Sequence, residues 1–261
     1  MRTRRSLRRK ATRKSTRRCR KCGGYGHSSR SCMKGGDAST TALLVIDFQK
    51  DFCGGGSLAV KDADNILSEV QKLGEMAKGW KLRVATQDWH PLDHVSFASN
   101  NPGTTIFTLK DIIVGEKTIK QMMWPNHCVQ ESTGAEFFPG FDTTGYKNIH
   151  KGTVKEVDSY SGFGDGLTEL GKTKGMEDTG LKKLLDDNGI KHVVVCGIAT
   201  DYCVAATCMD AAAYGFQVTL VLKASAGVTP DGIAKAIQEM ERAGVNIVDD
   251  ASKVTDEENM A

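Results

Sequence analysis

The chain has 261 residues, of which 39% are hydrophobic and 26% charged, as in ordinary globular proteins. No apolar run reaches about 18 residues and the amino terminus has no hydrophobic stretch, so neither a transmembrane helix nor a secretory signal peptide is predicted. These features argue against a membrane partner and favour an intracellular protein, in the cytoplasm or the nucleus. The length allows one domain of about 200 residues and an additional segment.

The net charge of +3 conceals two parts of opposite sign. Residues 1–36 contain 14 Lys and Arg and no Asp or Glu, whereas the rest of the chain carries 21 basic and 32 acidic residues. A basic segment of this kind favours polyanions such as single-stranded RNA or DNA, and it is equally typical of a solubilising arm or a targeting segment. Residues 1–18 lack an apolar helix face, and we predict that they are disordered.

Residues 19–32 contain metal-binding side chains at the spacing C-x2-C-x4-H-x4-C. These side chains are Cys19, Cys22, His27 and Cys32. Three thiolates and one imidazole predict a closed structural zinc site, and the spacing resembles the CCHC zinc knuckles, which bind single-stranded nucleic acid. The alternative is a fortuitous spacing in a basic tail. Residues 33–41 are polar and contain glycine, as in a linker, and residues 42–261 form the second predicted domain.

Apolar runs and helical periodicities alternate after residue 41. Strands are predicted at Ala42–Asp47, Leu82–Thr86, Tyr146–His150, His192–Gly197, Phe216–Leu222 and Val245–Val248. Helices are predicted at Asp64–Lys78, Thr179–Asn188, Thr200–Tyr214 and Pro230–Ala243, and Asn100–Met123 is predicted to be an insertion. Val-rich strands that alternate with helices indicate a three-layer, doubly wound α/β fold with a mostly parallel sheet.

Reactive side chains follow the ends of successive predicted strands. They are Asp47, Asp88, His90, Lys151 and Cys203. The carboxyl ends of parallel strands meet at one edge of a sheet, where α/β proteins bind ligands, and we therefore expect a site there. Each residue alone also has a plainer interpretation. Asp47 could cap a turn, Lys151 could be a solvated surface residue, and Cys203 could be a buried structural cysteine.

Cys203 is the candidate nucleophile. If Thr200 or Asp201 caps the following helix, Cys203 lies in its first turn, where free N–H groups favour a thiolate and stabilise an oxyanion. Asp47 could accept the thiol proton and later pass it to a leaving amine. Lys151 could fix the Asp47 carboxylate and stabilise the thiolate. This set predicts nucleophilic hydrolysis.

A second set of side chains offers metal ligands. Asp88 and His90 project to the same side of an extended segment, and His94 and His127 add two imidazoles. A mixture of carboxylate and imidazole suits zinc, iron or manganese and leaves open positions for water or substrate. The spacing does not choose among these metals.

Several motifs occur in the order found in one known family. They are Ile46–Phe52, Gln87–Pro91 with His94, Trp124–Val129, Lys151-Gly152 and Gly197–Val204. On these motifs residues 42–250 resemble the isochorismatase-like cysteine hydrolases, and the metal-ligand set is similar to that of the nicotinamidase branch. The resemblance implies an amidase that converts nicotinamide to nicotinate and ammonia in NAD salvage. Alternatives are another family amidase, or a nucleic-acid-binding protein with a scaffold hydrolase domain; a homo-oligomer is left open.

The resemblance also implies roles for individual residues. The catalytic triad would be Asp47, Lys151 and Cys203. The metal ligands would be Asp88, His90 and His127, with His94 either a fourth ligand or a supporting residue. The oxyanion would be bound by the N–H groups of Ala199 and Cys203 after a cis Ile198–Ala199 bond. The pyridine ring would be held between Phe52, Trp124 and Tyr160, which could alternatively be ordinary core residues.

Overall fold

The computed structural model describes residues 38–76, 79–114, 117–164 and 177–254. The predicted tail at 1–18 and the predicted zinc knuckle at 19–32 lie outside the described residues, and so does most of the predicted linker. Within the described ranges, no helix is long and apolar enough to cross a membrane.

The described residues form eight strands and four α-helices. The strands are β1 (Thr41–Ile46), β2 (Leu82–Asp88), β3 (Leu109–Val114), β4 (Lys117–Met122), β5 (Lys147–Lys151), β6 (His192–Ile198), β7 (Gln217–Ala226) and β8 (Asn246–Val248). The helices are α1 (Leu67–Gly74), α2 (Leu181–Asp187), α3 (Ala205–Ala213) and α4 (Pro230–Arg242). The predicted strands are confirmed with small shifts of their ends. The first predicted helix is shorter than expected, because Ala63–Ile66 forms a 3-10 turn and α1 ends at Gly74.

Six strands form one parallel sheet in the order β5-β2-β1-β6-β7-β8. Every residue of β1 and β6 is buried, because helices cover both faces of the sheet. The apolar side chains of α1 pack in the core on one face, and those of α2, α3 and α4 pack on the other. This arrangement confirms the predicted α/β fold. The insertion Asn100–Met123 contributes β3 and β4, which form a separate antiparallel hairpin.

The order of the strands reverses between β1 and β6. From β1 the chain continues to β2 and β5 on one side, and it then crosses to β6, β7 and β8 on the other. Gly197 lies where β1 and β6 meet, and a Cβ atom there would lie 2.1 Å from the carbonyl oxygen of Ile46. Ligands of doubly wound proteins bind at the carboxyl ends of the strands beside such a reversal. A ligand site is therefore expected at the carboxyl ends of β1 and β6.

Candidate active site

Lys151 is the centre of a buried ionic cluster at this edge. It is the last residue of β5 and is fully buried, which excludes the solvated surface lysine considered above. Its Nζ lies 2.9 Å from Asp47 Oδ2 and 3.3 Å from Cys203 Sγ. It also donates a hydrogen bond to Asp88 Oδ1. The fold thus brings Asp47, Lys151 and Cys203 together from the ends of different strands.

Burial and charge have opposing effects on the pKa values in this cluster. Burial alone would lower the pKa of Lys151, but Asp47 and Asp88 outweigh it and raise that pKa well above its ordinary value. Burial raises the pKa of Asp47 to about 6, although Lys151 opposes the change. Burial likewise raises the pKa of the Cys203 thiol well above its ordinary value. At neutral pH a protonated thiol therefore lies beside an ionised carboxylate, which can act as its base.

The backbone around Cys203 corrects one expectation. Thr200–Val204 forms a π-helical turn that leads into α3, and no side chain caps this turn. Asp201 instead accepts two backbone N–H groups from the loop before α4. A preformed thiolate at Cys203 is not supported either, because burial raises the pKa of the thiol. The nucleophile therefore needs a base.

The Ile198–Ala199 peptide bond is cis, as the family resemblance implies. This bond immediately precedes the turn that carries Cys203. Ala199 and Cys203 line the same pocket. The two residues expected to bind an oxyanion therefore lie on one wall.

Asp88, His90 and His127 offer three ligand atoms within 4.8 Å of one another. The Nε2 atoms of His90 and His127 lie 3.6 Å and 4.0 Å from Asp88 Oδ2. Each Nδ1 atom lies 2.8 Å from a backbone carbonyl, Gly152 O for His90 and Pro125 O for His127. In the neutral imidazole, donation from Nδ1 leaves Nε2 free of a proton and able to bind a metal ion. The donor set therefore fits a divalent cation.

His94 lies next to His90, one of the three candidate ligands. Its Nδ1 is 2.8 Å from Ser96 Oγ, and its Nε2 is 3.0 Å from the carbonyl oxygen of Val157. Its ring stacks on that of His90, with the centroids 4.2 Å apart. Because both ring nitrogens have partners, this geometry favours the supporting role for His94 over that of a fourth ligand.

A pocket with aromatic and aliphatic walls lies beside Cys203. The three residues expected to contact a pyridine ring, Phe52, Trp124 and Tyr160, all line it. Trp124 Nε1 donates a hydrogen bond to Tyr160 Oη at 3.2 Å. Tyr202, which was not predicted, packs edge-to-face on Trp124 with the ring centroids 5.0 Å apart. Flat apolar walls with few polar groups suit a flat aromatic ligand.

Three buried residues that support the site were not predicted. Thr86 Oγ1 donates a hydrogen bond to Asp47 Oδ1 at 2.6 Å. Gln49 bonds the backbone N–H and carbonyl of Asp88, each at 2.9 Å. Gln121 Nε2 donates a hydrogen bond to Asp158 Oδ2 at 2.6 Å. Gln49 belongs to the first of the family-like motifs, which was a usable signal, whereas nothing in the local sequence marks Thr86 or Gln121.

A family model for the isochorismatase domain matches residues 41–252, which include the whole sheet and every residue of the site described above. The chain therefore belongs to the isochorismatase family.

The relatives of this chain indicate which class of reaction it catalyses. The nicotinamidase of Acinetobacter baylyi is 38% identical over 210 residues, which cover 80% of this chain and 92% of that protein. The structure of the yeast nicotinamidase bound to the inhibitor nicotinaldehyde has a TM-score of 0.74 at 27% identity and covers 80% of this chain and 99% of its own. The structure of a pyrazinamidase of Pyrococcus horikoshii in complex with zinc has a TM-score of 0.63 at 36% identity, with coverage of 80% and 99%. The chain is an amide hydrolase.

Proposed function

We propose that this chain hydrolyses nicotinamide to nicotinate and ammonia, a reaction of NAD salvage. One observation carries the proposal: the Lys151 ammonium contacts both Asp47 and Cys203, beside a pocket with three aromatic walls. The cluster offers a nucleophile with its own base, and the pocket places aromatic side chains next to the sulfur. Two relatives, both nicotinamidases, support nicotinamide as the substrate.

The reaction follows from the contacts of the cluster. Asp47 accepts the thiol proton of Cys203, and Sγ forms a bond to the amide carbon. The N–H groups of Ala199 and Cys203 stabilise the oxyanion, and Lys151 holds the Asp47 carboxylate in place. Asp47 then gives its proton to the departing nitrogen, the C–N bond breaks and ammonia leaves. A water molecule, deprotonated by Asp47, hydrolyses the thioester and restores the thiol.

Asp88, His90 and His127 would hold a divalent cation of zinc, iron or manganese. When bound, such an ion supplies a Lewis-acid contact for the pyridine nitrogen. Burial lowers the pKa of His127 to about 4, so its imidazole is in the neutral form that metals require. The zinc complex of the P. horikoshii relative supports this proposal.

The decisive variant is Cys203→Ala, which removes the sulfur nucleophile. We expect ammonia release from nicotinamide to fall by about three orders of magnitude or more, with an unchanged thermal transition. Cys208→Ala is the matched control, because Cys208 is a buried cysteine of α3 outside the ionic cluster. Treatment of the wild-type protein with a chelator should also lower turnover. Retention of more than about a tenth of wild-type kcat by Cys203→Ala would contradict the assignment.

Another family amidase remains the alternative for the substrate. Pyrazinamide and an N-carbamoyl amino acid, tested beside nicotinamide, distinguish these cases through kcat/KM. A planar ring should be preferred because the pocket walls are aromatic. Faster turnover of the acyclic N-carbamoyl substrate would favour the alternative.

A second function is proposed for the amino-terminal segment. Residues 1–36 combine 14 basic residues with the spacing of a CCHC zinc knuckle. We propose that Cys19, Cys22, His27 and Cys32 bind a structural zinc ion and that the segment binds single-stranded RNA or DNA. RNA binding by the full chain, compared with that by a chain that lacks residues 1–36, tests this proposal.

A further inference from the structure

The hairpin of β3 and β4 carries a buried polar side chain, Gln121, whose amide lies 3.5 Å from the hydroxyl of a pocket residue, Tyr160. Leu109 and Ile113 of this hairpin are 60% and 79% exposed, whereas Gln121 on β4 is 2% exposed. A buried amide is costly unless it is hydrogen bonded. Hydrogen bonds of Gln121 therefore join this part of the insertion to the domain, in addition to the apolar cluster that contains Ile112, Val114 and Val157.

Gln121 is part of a network that includes two residues of the ring pocket. Its Nε2 donates to Asp158 Oδ2 at 2.6 Å and to the carbonyl oxygen of Met122 at 2.9 Å, and it lies 3.5 Å from Tyr160 Oη. The same Tyr160 oxygen accepts the indole N–H of Trp124 at 3.2 Å. The amide thus lies beside the bond that fixes the relative positions of Trp124 and Tyr160.

Phe107 contacts Trp124 independently of that network. Its N–H donates to the carbonyl oxygen of Met123, next to Trp124, at 2.6 Å. Its ring is 52% exposed and meets the Trp124 ring edge-to-face, with the centroids 5.9 Å apart. Phe107 has a φ of 61°, a left-handed conformation that bulky residues rarely adopt. A large exposed ring in a strained conformation is retained here in contact with a pocket wall.

We infer that the hairpin, together with Phe107 two residues before β3, positions the aromatic walls for the ring of the substrate, with Gln121 and Phe107 as the positioning residues. This inference rests on the proposed function, since it concerns the site for the pyridine ring. Within the described residues, the hydrogen bonds and ring contacts of Gln121 and Phe107 do not involve Asp47, Lys151 or Cys203. Loss of either residue should therefore weaken ring binding and leave the bond-breaking steps nearly unchanged.

The experiment compares two hairpin variants with the wild-type protein. For Phe107→Ala and Gln121→Leu we expect KM for nicotinamide, and Kd for nicotinate by calorimetry, to rise about threefold to tenfold, with kcat within about twofold. Phe107→Tyr keeps the ring and should retain the wild-type KM. Leu109→Ala and Ile113→Ala alter exposed side chains of the same hairpin and serve as matched controls.

The outcomes separate this inference from the proposed function. If the wild-type protein releases no ammonia from nicotinamide, the proposed function fails. If it does, and both variants keep the wild-type KM and Kd, the hairpin inference is overturned. A fall in kcat with unchanged KM would also overturn it, because the hairpin would then act on the chemistry. Phe107 is half exposed, so Phe107→Ala keeps the test valid even if Gln121→Leu does not fold.

Discussion

At the scale of single residues, burial, Lys151 and Asp88 set most of the proton affinity of Asp47, and one hydroxyl group adjusts it. Thr86 Oγ1 donates a hydrogen bond to Asp47 Oδ1, and this bond lowers the pKa of a carboxyl that burial raises to about 6. Asp47 must be ionised to accept the thiol proton. We therefore expect kcat/KM to decline as the pH falls through about 6 in the wild-type protein.

The variant Thr86→Val tests this dependence. Without the hydrogen bond the carboxylate is less stable, so the pKa of Asp47 rises and the acid limb moves to higher pH, by roughly half a unit to one unit. The measurement is kcat/KM against pH. Thr219→Val is the control, because Thr219 is also buried but pairs with His192 instead of Asp47. An acid limb that stays at the wild-type pH in Thr86→Val would contradict the role of the hydroxyl.

The reactive residues that meet at the site could be predicted from the sequence, but the buried polar residues that hydrogen bond around them could not. Asp47 and Cys203 follow the apolar strands β1 and β6, and Lys151 ends β5. An acid, a base and a thiol indicate chemistry wherever they meet. Thr86 and Gln121 are ordinary polar residues whose partners lie 39 and 37 positions away in the chain. Only the packed structure shows that these two side chains are buried and whose atoms they bind.

At the scale of elements, the turn after β5 connects the ionic cluster to the candidate metal ligands. Gly152 follows Lys151, has a φ of 63°, and its carbonyl oxygen accepts from His90 Nδ1 at 2.8 Å. A Cβ atom at this position would lie 2.4 Å from His90 Cε1. The turn therefore allows only glycine if the imidazole is to keep its place.

The variant Gly152→Ala should displace the His90 ring and weaken metal binding by about tenfold to a hundredfold. His90→Ala and His127→Ala should lower the bound metal further. Gly189→Ala is the matched control, because Gly189 has a φ of 67° and no atom within 4 Å of its Cβ position. Metal content is measured after dialysis against a weak chelator, with protein that lacks residues 1–36, so that knuckle zinc does not contribute. Full metal content in Gly152→Ala, His90→Ala and His127→Ala would refute the assignment of the ligands.

The elements themselves were largely predictable because apolar runs and helical periodicities are local signals. The order of the strands was not, since it depends on pairings between distant segments. The π-helical turn at Thr200–Val204 was also missed, because Asp201 pairs with the loop before α4 instead of capping its own turn. The hairpin of β3 and β4 has no place in the alternation of strands and helices, so the sequence indicated only an insertion there.

At the scale of the whole molecule, the described chain enters the sheet at the end opposite the candidate site. Residues 38–40 lead into the amino end of β1, whereas Asp47 follows its carboxyl end. We expect deletion of residues 1–36 to leave kcat and KM for nicotinamide within about twofold, because every candidate residue of the site lies beyond Thr41. The same deletion should abolish RNA binding, since 14 basic residues are lost and the remaining chain is acidic.

Fluorescence anisotropy with a short single-stranded RNA, at several salt concentrations, measures the binding half of this prediction. Affinity of the full chain should fall steeply with salt, because phosphate contacts release counterions. Cys22→Ser keeps the arginines and should reduce only the preference for single strands. RNA binding by the truncated protein, or collapse of its amidase activity, would show that the two parts are not independent.

The pairing of β1 with β6 has a consequence for a chain that is synthesised from its amino terminus. Thr41 and His192 are partners across the centre of the sheet although they are about 150 residues apart. Until β6 has left the ribosome, β1 can pair only with β2 and presents an apolar strand with one unpaired edge. Such edges are where nascent chains associate with one another. We therefore expect the half-made protein to associate with chaperones until β6 is made, and Asp47, the candidate base, is synthesised long before the strand that completes the candidate site.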